Sequence, residues 1–384
     1  MVLHDLNDFF QLSGELNYQL SARGVGRQNV LAAVVDGRTL EAGARAILLE
    51  VLEYLDRAYG EKSRRLGPKA VLHPLRASAL LVRAQDGVVL LDVLAELLHD
   101  KFEDILAEDY EPAQWQELEG RFEGLLEHIP ASERDSLRQR LRHLTRRRDE
   151  TYCHYVGRLL EHAAEAPALV RIKLADRLDN TLDMRIDFRD PLDGPGVFTE
   201  LFHLLFSRHF SGFSAVSPHP PRPPLDGSRR LYELFKNTVL LSLVRQGGKL
   251  ADDPGSVLLF DAIATAGMRE AQRILMHIFT YHLTEVEVQR RLLLETMDYC
   301  WSGGVESVTP SVELHRLDGL FAERFDAVSP ESRREQLAEL YKDKEMMSAA
   351  AVAFMVIFLN FLKDSRYIVQ GVTADGITPR ELFA

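Results

Sequence analysis

The sequence predicts an all-α fold, and three observations support this class. Apolar residues recur every three to four positions through long stretches, for example LEAGARAILLEVLEYLDRAYG at residues 40–60 and DSLRQRLRHLTRRRDE at 135–150. Only short runs such as GVVLL at 87–91 suit a strand, and this one leads directly into a helical pattern. With 46% hydrophobic and 27% charged residues, the chain has enough apolar side chains for a packed core, which excludes wholesale disorder.

Charge and cysteine content narrow the classes of partner and compartment. A net charge of −12 argues against a general nucleic-acid-binding protein, because an acidic surface repels phosphate backbones. Cys153 and Cys300 lie far apart in sequence and provide neither a disulfide framework nor a zinc site, which fits a reducing compartment. The first residues mix acidic and apolar side chains, unlike a secretory signal, so we expect a cytoplasmic protein.

The most apolar stretch is SAAAVAFMVIFLNFL at residues 348–362. It is shorter than the roughly 20 residues that a helix needs to span a bilayer. It is also rich in alanine and flanked by charges of both signs. We therefore expect a buried core helix here and no membrane partner.

A proline-rich stretch divides the chain into two helical regions. The prolines of SGFSAVSPHPPRPPLDGSRR, residues 211–230, oppose a helix and favour an extended segment. We expect a first domain at 1–195 that holds all site candidates, a connecting segment at 196–228 and a helical domain at 229–384. The role of this last domain stays open between packing over the site, forming a homo-oligomer interface and sensing a ligand.

Four polar residues follow the apolar part of LLDVLAELLHDKFED, residues 90–104. His99 and Glu103 are four residues apart, as are Asp100 and Asp104, so each pair stacks on one side of a helix. Three acidic groups within one turn repel one another unless a cation lies between them. This turn is therefore a candidate metal site.

Two further segments offer partners for that turn. His73 precedes Pro74, a residue favoured at the first position of a helix, so His73 lies at a helix entrance. Asp176 lies in the otherwise apolar helical stretch ALVRIKLADRLDNTLDMR, where burying a carboxylate without a partner is costly. With His99 and Asp100 they would form a site of two imidazoles and two carboxylates, which leaves room for water.

In order, these segments resemble the motifs of the HD-domain metal-dependent phosphohydrolases. The sequences of these motifs are most similar to those of the alarmone hydrolases, meaning the hydrolase domain of Rel/SpoT-type (p)ppGpp enzymes and their small bacterial relatives. Those proteins read HP, then LLHD..ED, then KLADR..N. The matching residues here are His73-Pro74, His99-Asp100 with Glu103-Asp104, and Lys173-Leu174-Ala175-Asp176-Arg177 with Asn180. The resemblance covers roughly residues 40–190 and implies an HD-domain helical fold with a helical C-terminal extension.

The resemblance also implies roles for individual residues. One divalent cation, Mn²⁺ in the alarmone hydrolases, would be bound by His73, His99, Asp100 and Asp176. Glu103 and Asp104 would orient or deprotonate the attacking water. Arg64 would hold a substrate phosphate or the base, and Asn180 would contact the nucleoside.

The chain departs from the family pattern near the expected nucleotide. The family's R.SGEPY..HP appears as RRLGPKAVLHP, and DNTLDM stands where the bifunctional enzymes read HNMRTL. Asp179 and Asp183 thereby add negative charge close to the expected substrate. These changes leave the substrate open.

A cluster of arginines at residues 134–148 is the one concentrated patch of positive charge. It is either a solvated helix face or, through Arg146 or Arg147, a contact for substrate phosphates. Together these features predict hydrolysis of a phosphoester or pyrophosphate on a small phosphorylated nucleotide, with removal of the 3′-pyrophosphate of (p)ppGpp as the leading activity. The alternatives are a nucleotide monophosphatase of the same superfamily and a catalytically silent nucleotide-binding sensor.

Overall fold

The computed structural model of the chain describes residues 3–21, 26–60, 62, 69–183, 227–250, 253–304, 317, 319–327 and 329–377. The first region contains α1 Leu6–Ser21, α2 Gly26–Val34, α3 Ala42–Tyr59, α4 Leu72–Arg83, α5 Leu90–Leu97, α6 Lys101–Asp104, α7 Pro112–Glu127, α8 Ala131–Leu144, α9 Tyr152–His162 and α10 Ala168–Asp183. The second contains α11 Gly227–Gln246, α12 Pro254–Tyr281, α13 Val286–Trp301, α14 Leu320–Arg324, α15 Pro330–Lys342 and α16 Lys344–Lys363.

Almost all of the regular structure is helical, so the predicted all-α class is confirmed. Within the described residues, the exception is a short antiparallel hairpin of β1 Val372–Thr373 and β2 Gly376–Ile377. The finer assignment to the HD fold stays a prediction. Most of the connecting segment predicted at 196–228 lies outside the described residues, and α11 begins at its end.

Helix α10 lies at the centre of the molecule. It packs against α4, α5, α8 and α9 on one side and against α11 and α12 on the other. Most of its side chains are therefore buried, including those of Asp176, Arg177 and Asp179. A single hydrophobic core continues across the two regions that the sequence separates.

A charged network also joins the two regions. The Arg171 guanidinium on α10 binds Asp92 on α5 at 3.0 Å and Asp253 at 2.9 Å. Asp253 is the residue that caps the N-terminus of α12, where its side chain accepts a hydrogen bond from the Gly255 backbone N–H. The beginning of α12 is thus fixed against the helix that carries Asp176.

The apolar stretch at 348–362 forms most of α16, which packs along α12. By length and composition it is the one helix in the described part of the chain that could cross a membrane. However, 67% of its most apolar window is buried inside the protein, as in a core helix. The predicted core helix is therefore present, while the predicted cytoplasmic location stays a prediction.

The contact between α12 and α16 predicts opposite effects of one substitution at two glycines. A Cβ at Gly267 on α12 would lie 2.8 Å from Cζ of the buried Phe358 ring, whereas a Cβ at the exposed Gly120 on α7 would meet nothing within 4 Å. We expect Gly267→Ala to lower the free energy of unfolding by about 1–3 kcal/mol through overpacking. We expect Gly120→Ala to raise it by about 0.5–1 kcal/mol through helix propensity. Urea denaturation followed by circular dichroism measures both, and equal effects at the two positions would contradict this packing.

Candidate metal centre and active-site cavity

Residues 98–100 interrupt the helix that was expected to run continuously through residues 90–104. Helix α5 ends at Leu97, and the four-residue α6 begins only at Lys101. The prediction of a continuous helix is wrong because the ring of His99 turns back and its Nδ1 atom bonds the Glu96 carbonyl oxygen at 2.6 Å. This turn allows the adjacent side chains of His99 and Asp100 to face the same site.

Three helical segments converge at this turn. One donor atom each from His73, His99 and Asp176 lies within 4.8 Å of the others, and all three side chains are buried. His73 Nε2 lies 3.3 Å from both Asp176 Oδ1 and Asp100 Oδ2. His99 Nε2 lies 3.2 Å from Asp100 Oδ1. The four side chains predicted to bind a metal therefore come together, although their positions are spread over about 100 residues of the chain.

Hydrogen bonds on the far side of each ring fix which nitrogen faces the cluster. His73 Nδ1 lies 2.6 Å from Asp179 Oδ2, an acceptor, so Nδ1 carries a proton. His99 Nδ1 donates to the Glu96 carbonyl in the same way. In the neutral form of each ring, Nε2 then presents its lone pair to the cluster, as metal-binding histidines require.

The residues around the cluster fit a divalent cation. His99 Nε2 is buried and makes no hydrogen bond of acceptable geometry with any described residue, so it is an orphaned donor atom. Burial by itself would lower the pKa of His99, but Asp100 and Asp176 raise this pKa well above its ordinary value. A proton thus substitutes for positive charge that a cation would supply. A mixed set of imidazole and carboxylate donors suits a divalent metal ion.

Two side chains hold Asp176 in place. Lys173 Nζ binds Asp176 Oδ2 at 2.6 Å, one turn earlier on α10. Asn180 Nδ2 donates to Asp176 Oδ1 at 2.5 Å, one turn later. Burial would raise the pKa of Asp176, but Lys173 and the two histidines hold it well below the ordinary value. Asp176 is therefore ionised and oriented.

Glu103 and Asp104 lie on α6 and line the same cavity as the cluster. Glu103 Oε1 accepts a hydrogen bond from the Arg146 backbone N–H at 2.7 Å. Partial desolvation in the cavity and the neighbouring Asp100 raise the pKa of Glu103 above its ordinary value, which makes its carboxylate a stronger base. Asp104 Oδ2 lies 3.5 Å from the Tyr59 hydroxyl.

The cluster opens into a cavity of about 990 Å³. One wall comes from the first region and includes Tyr152, Tyr155 and Lys173. The facing wall comes from α11 and α15 and includes Tyr232 and Lys236. This volume accommodates a ligand the size of a nucleotide.

The residues predicted to bind substrate differ in whether they line the cavity. Arg146 lines the cavity, and its guanidinium donates to the Glu150 carbonyl oxygen at 2.7 Å. Arg147 is exposed and is not among the described residues of the cavity wall. Asn180 lines the cavity but donates to the Asp176 carboxylate. Arg64 lies outside the described residues.

Sequence reasoning missed the residues that support the cluster from behind. Asp179 is fully buried and binds both His73 and the buried Arg76, whose Nε lies 2.7 Å from Asp179 Oδ1. Asp183 also binds Arg76, at 2.9 Å. The charge that these two acids add is therefore partly offset by the Arg76 guanidinium, and Asp179 orients the His73 ring. The spacing of Asp176 and Asp179, three apart on one helix, was the available signal.

Comparisons with protein-family models, with curated proteins and with solved structures find no match to this chain. The capacity to bind a metal therefore rests on the donor set itself.

Replacing Asp179 tests whether the ring of His73 is held for a metal. In Asp179→Asn the amide no longer offers an ionised acceptor for His73 Nδ1–H, so the ring loses its fixed tautomer. We expect Mn²⁺ affinity to fall by about 10- to 100-fold, measured by isothermal titration calorimetry on chelator-treated protein. The control Asp298→Asn changes an exposed carboxylate on α13 and should leave the affinity unchanged; equal affinities in the two variants would remove Asp179 from the site.

The proton on His99 predicts how metal affinity depends on pH. Because the pKa of His99 is raised in the metal-free cluster, a cation must displace a proton to reach Nε2. We therefore expect Mn²⁺ affinity to fall as the pH is lowered and binding to release protons. Calorimetry in two buffers with different ionisation enthalpies measures that release, and an identical heat in both buffers would contradict it.

Proposed function

We propose that the protein is a metal-dependent phosphohydrolase acting on a phosphoester or pyrophosphate of a small nucleotide. The observation that carries the proposal is the convergence of His73, His99, Asp100 and Asp176 at one end of a nucleotide-sized cavity, with Glu103 and Asp104 beside them. The order of motifs that resembles HD-domain enzymes supports the same reaction class.

The four converging side chains would bind one divalent cation, Mn²⁺ by resemblance to the alarmone hydrolases. When bound, such a cation supplies Lewis-acid chemistry, since it makes water more acidic and neutralises charge that develops on phosphoryl oxygens. Asp179 and the Glu96 carbonyl keep both imidazole rings turned toward it.

Glu103 and Asp104 handle the water in this proposal. Both face the cavity beside the cluster, and the Arg146 N–H fixes one oxygen of Glu103 while leaving the other available. The raised pKa of Glu103 makes its carboxylate a stronger base toward a proton of the attacking water. Asp104, one residue further on α6, provides a second acceptor that orients the water.

Arg146 and Lys173 provide positive charge on the wall nearest the cluster. The Arg146 guanidinium donates to a neutral carbonyl, so its charge is not neutralised by a described carboxylate. It is therefore suited to a phosphate oxygen of the substrate. By resemblance, the leading substrate is (p)ppGpp, from which the 3′-pyrophosphate would be removed.

A nucleotide panel tests the activity and separates it from its alternatives. Manganese-loaded protein is incubated with ppGpp and with nucleoside monophosphates, and the release of pyrophosphate and orthophosphate is followed. We expect pyrophosphate from ppGpp. Orthophosphate from monophosphates alone would replace the leading substrate, and saturable binding without turnover would favour a silent sensor.

Substitution of Asp104 tests the mechanism. Asp104→Asn removes the charge that orients water but no predicted metal ligand. We expect kcat to fall by a factor of at least about 100, while Mn²⁺ uptake stays at one ion per chain. The control Asp86→Asn alters an exposed acid after α4 and should keep full activity; an unchanged rate in Asp104→Asn would remove that carboxylate from the reaction.

A further inference from the structure

We infer that α11 and α15 form an anion-binding wall for the part of the substrate that does not contact the metal. This inference rests on the proposed function and deepens it, because it assigns a substrate-binding role to the C-terminal region. The cationic side chains of this wall are Arg229, Lys236, Arg333 and Arg334, and all of them line the cavity that holds the metal cluster.

Charge is distributed unevenly across the cavity. The floor is acidic, with Asp100, Glu103, Asp104 and Asp176 around the predicted metal position. Among the cavity-lining residues of α11 and α15 the described acid is Glu233, and of the four cations Arg334 is paired with Glu331 on α15 at 2.8 Å. A ligand that fits both surfaces must present one anionic group to the cation on the floor and another to the wall.

The charge of Glu233 does not neutralise both of the cationic side chains that it contacts. Its Oε2 atom is shared between Arg177 at 2.9 Å and Lys236 at 2.7 Å, so one negative charge faces two positive ones. Arg177 and Lys236 therefore keep a net positive charge beside the cavity. An anionic ligand would complete this group electrostatically.

The positive charge of Arg333 is compensated even less than that of Arg177 and Lys236. Its Nη1 donates to the hydroxyl of Tyr232 at 2.9 Å, and its guanidinium lies 5.4 Å from the centre of that ring. Within the described residues it makes no ion pair with a carboxylate. A guanidinium held by a neutral phenol is oriented but still available to bind a phosphate in a bidentate manner.

The α11 part of the wall is fixed against α10, the helix that carries Asp176. Arg177, the neighbour of Asp176 on α10, donates to Asn237 Oδ1 on α11 at 2.8 Å, and Asn237 in turn donates to Thr181 Oγ1 on α10 at 2.8 Å. All three side chains are buried. The distance between metal and wall is therefore set by packing, and this rigidity allows the cavity to select ligands by the spacing of their charges.

Two aromatic side chains of the cavity suit contact with a base or sugar. Tyr152 on α9 and Tyr232 on α11 both line the cavity, and Lys236 Nζ lies 5.9 Å and 5.4 Å from their ring centres. The ligand class that matches this order of groups is a nucleoside with phosphates at two positions. A nucleoside monophosphate would occupy the floor and leave the wall without an anion.

Binding of two nucleotides that differ by one phosphate tests the inference. Guanosine 3′,5′-bisphosphate and guanosine 5′-monophosphate are titrated into manganese-loaded full-length protein carrying Asp104→Asn, so that turnover does not consume the probe. We expect the bisphosphate to bind at least about tenfold more tightly. Adding Arg333→Gln, which removes the guanidinium charge, should weaken the bisphosphate by about tenfold and leave the monophosphate within about twofold.

Arg291→Gln, an exposed arginine on α13 outside the cavity wall, is the matched control, and Lys236→Gln is a second wall variant. Thermal unfolding and Mn²⁺ uptake establish that each variant is folded and loaded. Equal affinities for the bisphosphate in the wall variants and the control would overturn the inference even if the enzyme is active. If the chain with Asp104 intact hydrolyses no nucleotide, weaker bisphosphate binding in the wall variants alone would still support the anion-binding wall. The hydrolase proposal would then be rejected.

Discussion

The structure depends on compensating negative charge in the protein interior. Asp100, Asp176 and Asp179 come within hydrogen-bonding distance of the two histidines, in a largely buried position where water screens their repulsion only weakly. Burying ionised carboxylates is favourable only when each gains a partner. Arg76 and Lys173 supply such partners inside the fold. A divalent cation bound at the two Nε2 atoms would compensate the negative charge that remains.

Glu96 shows the other outcome of burial. Its side chain is fully buried, its carboxylate oxygens have no hydrogen-bond partner among the described residues, and burial raises its pKa to about 8. It is therefore protonated and neutral at physiological pH. The cluster thus contains acids of both kinds: Lys173 bonds Asp176 directly at 2.6 Å, whereas at Glu96 the effect of burial outweighs the more distant positive charges.

Much of the site could be predicted from sequence because its key residues occur in short, characteristic segments. The local features are the histidine before Pro74, the aspartate in the apolar helix and the His99-Asp100 pair. The structure brings them together. The break after Leu97 could not be predicted, because the apolar spacing continues through it and the Glu96 carbonyl that stabilises the turn is a backbone group. The facing wall was missed for another reason: α11 and α15 carry no recognisable motif, and only tertiary packing brings them to the cavity.

The central position of α10 has a consequence for producing parts of the protein separately. A fragment that ended before the proline-rich stretch would uncover the apolar surface that α12 covers, and it would leave the Arg177 guanidinium in a pocket without Glu233 and Asn237. Such a fragment would expose a large hydrophobic patch, and we expect it to aggregate. We therefore expect the two regions to be produced and refolded as one unit.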